Sequence, residues 1–202
     1  MEGFQPTSGY RFFKRYLDVA LILLSLPVSI PLFVLITIII RLESRGPAIF
    51  MQKRVGYLGK EFKIYKFRSM YMHAERGGAQ FAEINDQRVT PFGKILRKLR
   101  LDELPQFFNV LKGEMSLIGP RPEQKIFVEK FEKEIPYYSC RHNVLPGISG
   151  LAQVKQGYVS SSRETAIKLE YDLYYLKHFS FMLDLKIFFL TFKTIFTGFG
   201  AR

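Results

Sequence analysis

The 202-residue chain has a single cysteine, Cys140, and three histidines, His73, His142 and His178. One cysteine excludes an internal disulfide framework and any cysteine-based zinc cluster, and the histidines are too scattered to suggest a metal site. Acidic residues are also scarce, 18 against 30 basic ones, for a formal charge of +12. That balance calls for an anionic partner, whether nucleic acid, a phosphate-rich metabolite or an acidic membrane face, and does not choose among them. Repeats and low-complexity tracts are absent. What is present, 48% hydrophobic residues, suffices for the core of one domain.

From Val19 to Ile40 the chain runs 22 residues without a charge, enough to reach across a bilayer core of roughly 30 Å. The run ends in Ile-Ile-Ile-Arg instead of a small-residue cleavage site, so it is expected to be retained. Arg11, Lys14 and Arg15 precede it, and Arg41, Arg45, Lys53 and Arg54 follow it. Basic residues favour the cytoplasmic side, so both ends belong there. Pro27 and Pro31 supply a cause for bending, and the expected form is a re-entrant hairpin; an ordinary single span is the alternative. Asp18 lies just inside the run, with Arg15 three residues earlier as its expected partner or headgroup depth as its refuge.

Beyond the run, AIFMQKRVGYLGKEFKIYKFRSM has β-branched and aromatic residues on both sides of Gly56 and Gly59, which predicts a β-hairpin. YMHAERGGAQFAEINDQRVT reads as a loop over the site. PFGKILRKLR spaces Phe92, Ile95, Leu96 and Leu99 on one helical face, turning Lys94, Arg97 and Lys98 away. Ser161 and Glu164 form a capping box ahead of TAIKLEYDLYYLKH. In LDLKIFFLTFKTIF, Leu185, Phe188, Phe189, Phe192, Ile195 and Phe196 share one arc and Lys186 and Lys193 the other, a pattern shared by core and membrane-surface helices.

The chemistry concentrates in LDELPQ and the GPRP that follows it. Adjacent helical residues point about 100° apart, so Asp102 and Glu103 are expected to divide labour instead of facing each other as acid and base. Asp102 suits the N-cap of the helix carrying PQFFNVL, with Pro105 in its first turn. A helix N-terminus favours anions, and Lys66, Arg68 and Arg97 lie nearby in sequence. Pro120 and Pro122 fix the backbone on either side of Arg121, which suits bidentate phosphate recognition, though a purely structural turn reads the same way. Carboxylates among phosphate-binding cations suggest magnesium and also an aspartyl-phosphate route.

These motifs, RYLDVAL, SLP, YKFRSM, LRLDELPQFFNVLKGEMSLIGPRP, LPGISGLAQV and LEYDLYYLKHFSFMLDLKI, resemble the bacterial sugar transferase family, the monotopic phosphoglycosyl transferases that begin glycan assembly on a polyprenyl phosphate. The resemblance covers nearly the whole chain. It implies an α+β, mostly helical fold: a re-entrant membrane helix over residues 10–42 and a small cytoplasmic catalytic part over 43–202, with a β-hairpin and amphipathic interfacial helices, all one domain. It implies transfer of a sugar 1-phosphate from a UDP-sugar to undecaprenyl phosphate with release of UMP, at the cytoplasmic face of the bacterial inner membrane. Asp102 would be nucleophile and Mg2+ ligand, Glu103 would complete the dyad, and Lys66, Arg97 and Arg121 would contact phosphate or nucleotide, with Pro120 and Pro122 shaping the loop. Membrane lipids are implied partners, and a homodimer is compatible. Where many members have an arginine before Pro-Gly-Ile, this chain has Leu145, with Arg141 close by as a substitute. QVKQGYVSS points towards a hexose or N-acetylhexosamine donor. A membrane-tethered nucleic-acid-binding protein would account for the charge and for 15% aromatic residues, but not for LDELPQ or GPRP.

Overall fold

The computed structural model describes residues 8–72, 86–156 and 161–197. The loop expected over the site therefore falls largely outside the described residues. The apolar run and its basic flanks form helix α1, Ser8–Glu43, with Pro27 and Pro31 inside it. It is one helix by its hydrogen bonding, with no separate turn between two arms. Only 11% of its most apolar 18-residue window is buried, so it is not the core helix of a globular domain.

Both halves of α1 nevertheless rest on the same domain. Ile22 packs with Ile64, Val110 and Met115, while Ile36 and Ile40 pack with Ala48, Phe67 and Leu96. Each such aliphatic side chain withdrawn from water contributes about 1.5–3 kcal/mol. Asp18 does not pair with Arg15: it is buried and accepts a 2.6 Å hydrogen bond from Ser116 Oγ. Arg15 instead reaches the carbonyls of Val110 and Leu111. Those carbonyls end helix α3, Phe107–Lys112, and unsatisfied C-terminal carbonyls attract a cation more strongly than a carboxylate already held by a hydroxyl.

Strands β1, Ile49–Val55, and β2, Glu61–Phe67, form the expected antiparallel hairpin, with Ile49 opposite Phe67 and Val55 opposite Glu61. The turn places Gly59 at φ +75°, where glycine has no Cβ to clash. Ile64 and Phe67 point into the core. Helix α2, Pro91–Lys98, is capped by Thr90, whose hydroxyl accepts from Gly93 N at 2.9 Å. Its buried face is Gly93 and Leu96, whereas Ile95 and Leu99 are exposed. The expected apolar arc is displaced because α2 lies so close to Ser69 that a Cβ on Gly93 would meet the Ser69 carbonyl oxygen at 2.1 Å. A glycine contributes nothing to hydrophobic periodicity, so that contact is silent in the sequence pattern.

A second, parallel two-stranded sheet joins β3, Ser116–Ile118, to β4, Gly147–Ser149. Helix α4, Lys125–Glu134, lies between these strands in sequence, and α5, Leu151–Lys155, follows β4. Helix α6, Ser162–Lys177, begins with the predicted capping box. Helix α7, Phe181–Thr197, buries Asp184, Ile187 and Thr194 and leaves Phe189 and Phe192 exposed. Asp184 can turn inward because Lys14 Nζ at 2.6 Å and the hydroxyls of Tyr10 and Tyr175, each at 2.8 Å, satisfy its carboxylate.

Candidate active site

Leu101–Gln106 is a short 3-10 turn that runs directly into α3. Asp102 is not an N-cap: it sits in the first turn, preceded by Arg100 in the left-handed region at φ 55°, ψ 20°. A non-glycine residue there costs on the order of 1–3 kcal/mol and is held only where surrounding structure imposes it. The consequence is that Asp102 and Glu103 both lie at the positive end of the turn and helix, and both are buried.

The hairpin brings Lys66 from β2 onto this pair, with Nζ 2.8 Å from Glu103 Oε1 and 3.5 Å from Asp102 Oδ2. Arg121 approaches from the other side, Nη2 lying 2.5 Å from the same Glu103 oxygen. Arg97, which the helical spacing turned away but the family resemblance assigned to phosphate, lies near enough for its charge to act on Asp102, and donates from Nε to Ser69 Oγ at 2.8 Å. Arg68 belongs elsewhere: it holds the carbonyls of Ile40, Ser44 and Arg45 and so finishes α1. The structure thus gathers Asp102, Glu103, Lys66 and Arg121, places Arg97 beside them, and removes Arg68.

The two acids are electrostatically unlike. Burial opposes charge on Glu103, but Arg121 and Lys66 together hold its carboxyl well below the usual carboxylate range. For Asp102 burial dominates and raises its pKa, the Glu103 charge adds to the rise, and Lys66, Arg121 and Arg97 only partly offset it. Adjacent carboxylates pushed apart in this way can take different roles. Glu103 is a charged anchor for two cations, whereas among the described residues the Asp102 carboxylate meets only Lys66, at 3.5 Å.

Pro120 and Pro122 are buried on either side of half-exposed Arg121. Their loop meets the Leu-Pro-Gly-Ile-Ser-Gly stretch backbone to backbone. A Cβ on Gly147 would lie 2.1 Å from Gly119 N, and one on Gly150 would lie 2.3 Å from Gly119 O. These glycines therefore let two loops close to a distance no side chain permits.

Behind the loop lies a charged network that sequence reasoning missed. Lys168 on α6 pairs with Glu123, and Arg54 on β1 lies 3.6 Å from the same carboxylate. Despite burial, Lys168, Arg141 and Arg54 lower Glu123 to a pKa of about 2. Arg141 is only 2% exposed and bonds Asp172, so it offers no open guanidinium to replace the arginine that Leu145 displaces. The members of this network are separated by dozens of residues and follow no local pattern. Among the described residues, no cluster of three or more His, Cys, Asp or Glu side chains could hold a metal ion.

The family model described as bacterial sugar transferase matches residues 9–198. An Aeromonas hydrophila protein named UDP-N-acetylgalactosamine-undecaprenyl-phosphate N-acetylgalactosaminephosphotransferase is 55% identical over 197 residues, covering 98% of this chain and 47% of its own length. Two proteins named UDP-glucose:undecaprenyl-phosphate glucose-1-phosphate transferase are also similar. The one from Klebsiella pneumoniae is 44% identical and the one from Escherichia coli 42%, each over 96% of this chain and 42% of the relative. The chain thus spans less than half the length of these three relatives.

Proposed function

The chain belongs to the bacterial sugar transferase family, and on that footing we propose that it moves a sugar 1-phosphate from a UDP-sugar to undecaprenyl phosphate, releasing UMP. The observation that carries the reading is the asymmetry of the acidic pair. Glu103 is engaged by Lys66 at 2.8 Å and Arg121 at 2.5 Å, while Lys66 stands 3.5 Å from Asp102. Asp102 is the nucleophile of this reaction. Its ionised carboxylate oxygen forms a bond to the sugar-bearing phosphorus as the bond from that phosphorus to the bridging oxygen breaks and UMP leaves with the electron pair. An oxygen of undecaprenyl phosphate then displaces Asp102 from the same phosphorus. Lys66, Arg97 and Arg121 receive the diphosphate charge, and the buried prolines Pro120 and Pro122 hold Arg121 in place.

The donor set fits Mg2+, which takes one or two carboxylates and completes its shell with substrate phosphates and water; Asp102 would be the protein ligand. When bound, the ion neutralises diphosphate charge. The names of the relatives favour a hexose or N-acetylhexosamine donor.

The reaction needs access to a lipid, and three features support a membrane position at the cytoplasmic face of the bacterial inner membrane. Helix α1 leaves its outer face bare, both its halves rest on one domain, and both flanks are basic. This favours re-entry over a straight span. Beside it, Phe12, Phe13 and Tyr16 of α1 and Phe181, Met182, Phe189 and Phe192 of α7 are all exposed, with Phe13 and Phe181 in edge contact at 6.1 Å. An apolar surface of that kind suits α7 to the headgroup boundary.

Enzyme in stoichiometric amount with Mg2+ and UDP-N-acetylgalactosamine, without acceptor, should release UMP and gain the mass of one phosphosugar on the peptide containing Asp102. Asp102→Asn should lose both. UMP release that depends on undecaprenyl phosphate, or an adduct that survives in the asparagine variant, would remove the covalent role.

A further inference from the structure

Four consecutive carbonyls around Arg121 are each held by a different donor. Pro120 O accepts from Gly147 N at 2.9 Å, Arg121 O from Arg141 Nη2 at 2.8 Å, Pro122 O from Arg54 Nη1 at 3.3 Å, and Glu123 O from Val55 N at 2.9 Å. The donors come from β4, from the Tyr138–Asn143 turn and from β1. With φ fixed at both prolines, this segment has little remaining freedom, and the side chain it presents to the acidic pair is that of Arg121.

Arg141 is the donor held most firmly. Its Nε lies 3.0 Å from Asp172 Oδ2, its Nη1 2.8 Å from Tyr138 Oη, and its Nη2 2.8 Å from Asp172 Oδ2 as well as from the Arg121 carbonyl. Arg141 and Asp172 are each 2% exposed. A buried ion pair is a poor stabiliser compared with apolar packing, so its presence calls for another account. Here all three guanidinium nitrogens bond protein groups, and one of those groups is the backbone of the residue that grips Glu103.

We propose that Arg141, anchored by Asp172, is a positioning residue for phosphosugar transfer, setting the Arg121 guanidinium through the Arg121 carbonyl. The proposal rests on the transferase reading above. Lysine at position 141 would keep a positive charge beside Asp172 but could not bond Asp172, Tyr138 and the Arg121 carbonyl in one plane. A misplacement of about 1 Å at a reacting centre can cost on the order of 100-fold in rate.

The test measures UMP release from a UDP-sugar with undecaprenyl phosphate for four proteins: wild type, Arg141→Lys, Arg121→Lys and the double variant, alongside Tyr138→Phe. Arg141→Lys should lower kcat/KM for the donor by about 10–100-fold, and in the Arg121→Lys background the same change should cost little more. Such non-additivity marks a residue that acts through another. Tyr138→Phe removes one bond to Arg141 but neither the Asp172 nor the Arg121 contact, so it should lower kcat/KM in the same direction and by less than Arg141→Lys. Equal losses in both backgrounds, or a lowered Tm for Arg141→Lys with wild-type kinetics, would overturn the positioning role while leaving the transferase reading intact. A wild-type protein that releases no UMP with any UDP-sugar would overturn both.

Discussion

Glu103 and Arg121, 18 residues apart in sequence, are joined by a 2.5 Å hydrogen bond from Nη2 to Oε1. This bond uses one corner of the guanidinium, and the Arg121 side chain remains 30% exposed. A half-exposed arginine with one side anchored to an acid and donors to spare is suited to grip a phosphate in two places.

Replacing Arg121 with lysine separates charge from geometry. Lysine can still reach Glu103, so thermal stability should change little. It cannot make the two parallel bonds to a phosphate, and donor binding should weaken by about 1–3 kcal/mol. Calorimetric titration with UDP-sugar reads this directly, and a wild-type affinity would contradict the phosphate role.

The raised pKa of Asp102 gives the acid limb of activity its direction. Attack requires the ionised carboxylate, so activity should fall as pH drops through a midpoint above the ordinary carboxylate value. Glu103→Gln removes the like charge that helps raise Asp102 and frees Lys66 and Arg121 to turn towards it. Both effects lower the Asp102 pKa, so the limb should move to lower pH. The pH dependence of UMP formation in single turnover checks this, and an upward shift would contradict the assigned electrostatics.

Glu123 should leave its mark on stability instead. Its carboxyl titrates near a pKa of about 2 in the folded protein against an ordinary value of 4.5. A carboxyl lowered on folding stabilises the protein above its unfolded pKa, and that contribution is lost as pH falls from about 4.5 towards 2. The scale is up to about 3 kcal/mol. Glu123→Gln should flatten the fall in denaturant stability across that window while leaving Lys168 and Arg54 without their carboxylate, so the variant should also be weaker at neutral pH.

Local signals carried the features that proved legible in the sequence. The uncharged run, the glycine-bounded hairpin and the Ser161–Glu164 capping box each lie within one segment, and each is found where the pattern puts it. The motif LDELPQ with GPRP located the acids and Arg121. The parallel pairing of β3 with β4 was not legible, because strands of three residues, one of them beginning with a glycine, are too short to show a hydrophobic period. Nor was the Arg141–Asp172 pair, whose members lie 31 residues apart in sequence. The inward turn of α7 on Asp184 depends on Tyr10 and Lys14, which lie more than 160 residues earlier in the chain. The N-cap expected of Asp102 failed because Arg100 adopts a left-handed conformation that moves the start of the turn, a backbone choice no side-chain rule foretells.

Topology remains the sharpest test of the membrane reading. Tyr10 contacts Asp184 of α7, and the Arg45 carbonyl contacts Arg68 just beyond β2, so positions before and after the apolar run are both tied to the same folded domain. Were α1 to cross the bilayer once, one of these contacts would have to break, or part of the domain would be pulled through the membrane. The basic flanks oppose that as well, since lysine and arginine near both ends favour the cytoplasmic side. Single cysteines at Gly9 and Arg45 in a Cys140→Ser background avoid both contact-making side chains. An impermeant thiol reagent should leave both unlabelled in intact cells and label both in inverted membrane vesicles. If the two positions react from opposite sides, α1 is a single span and the re-entrant reading falls.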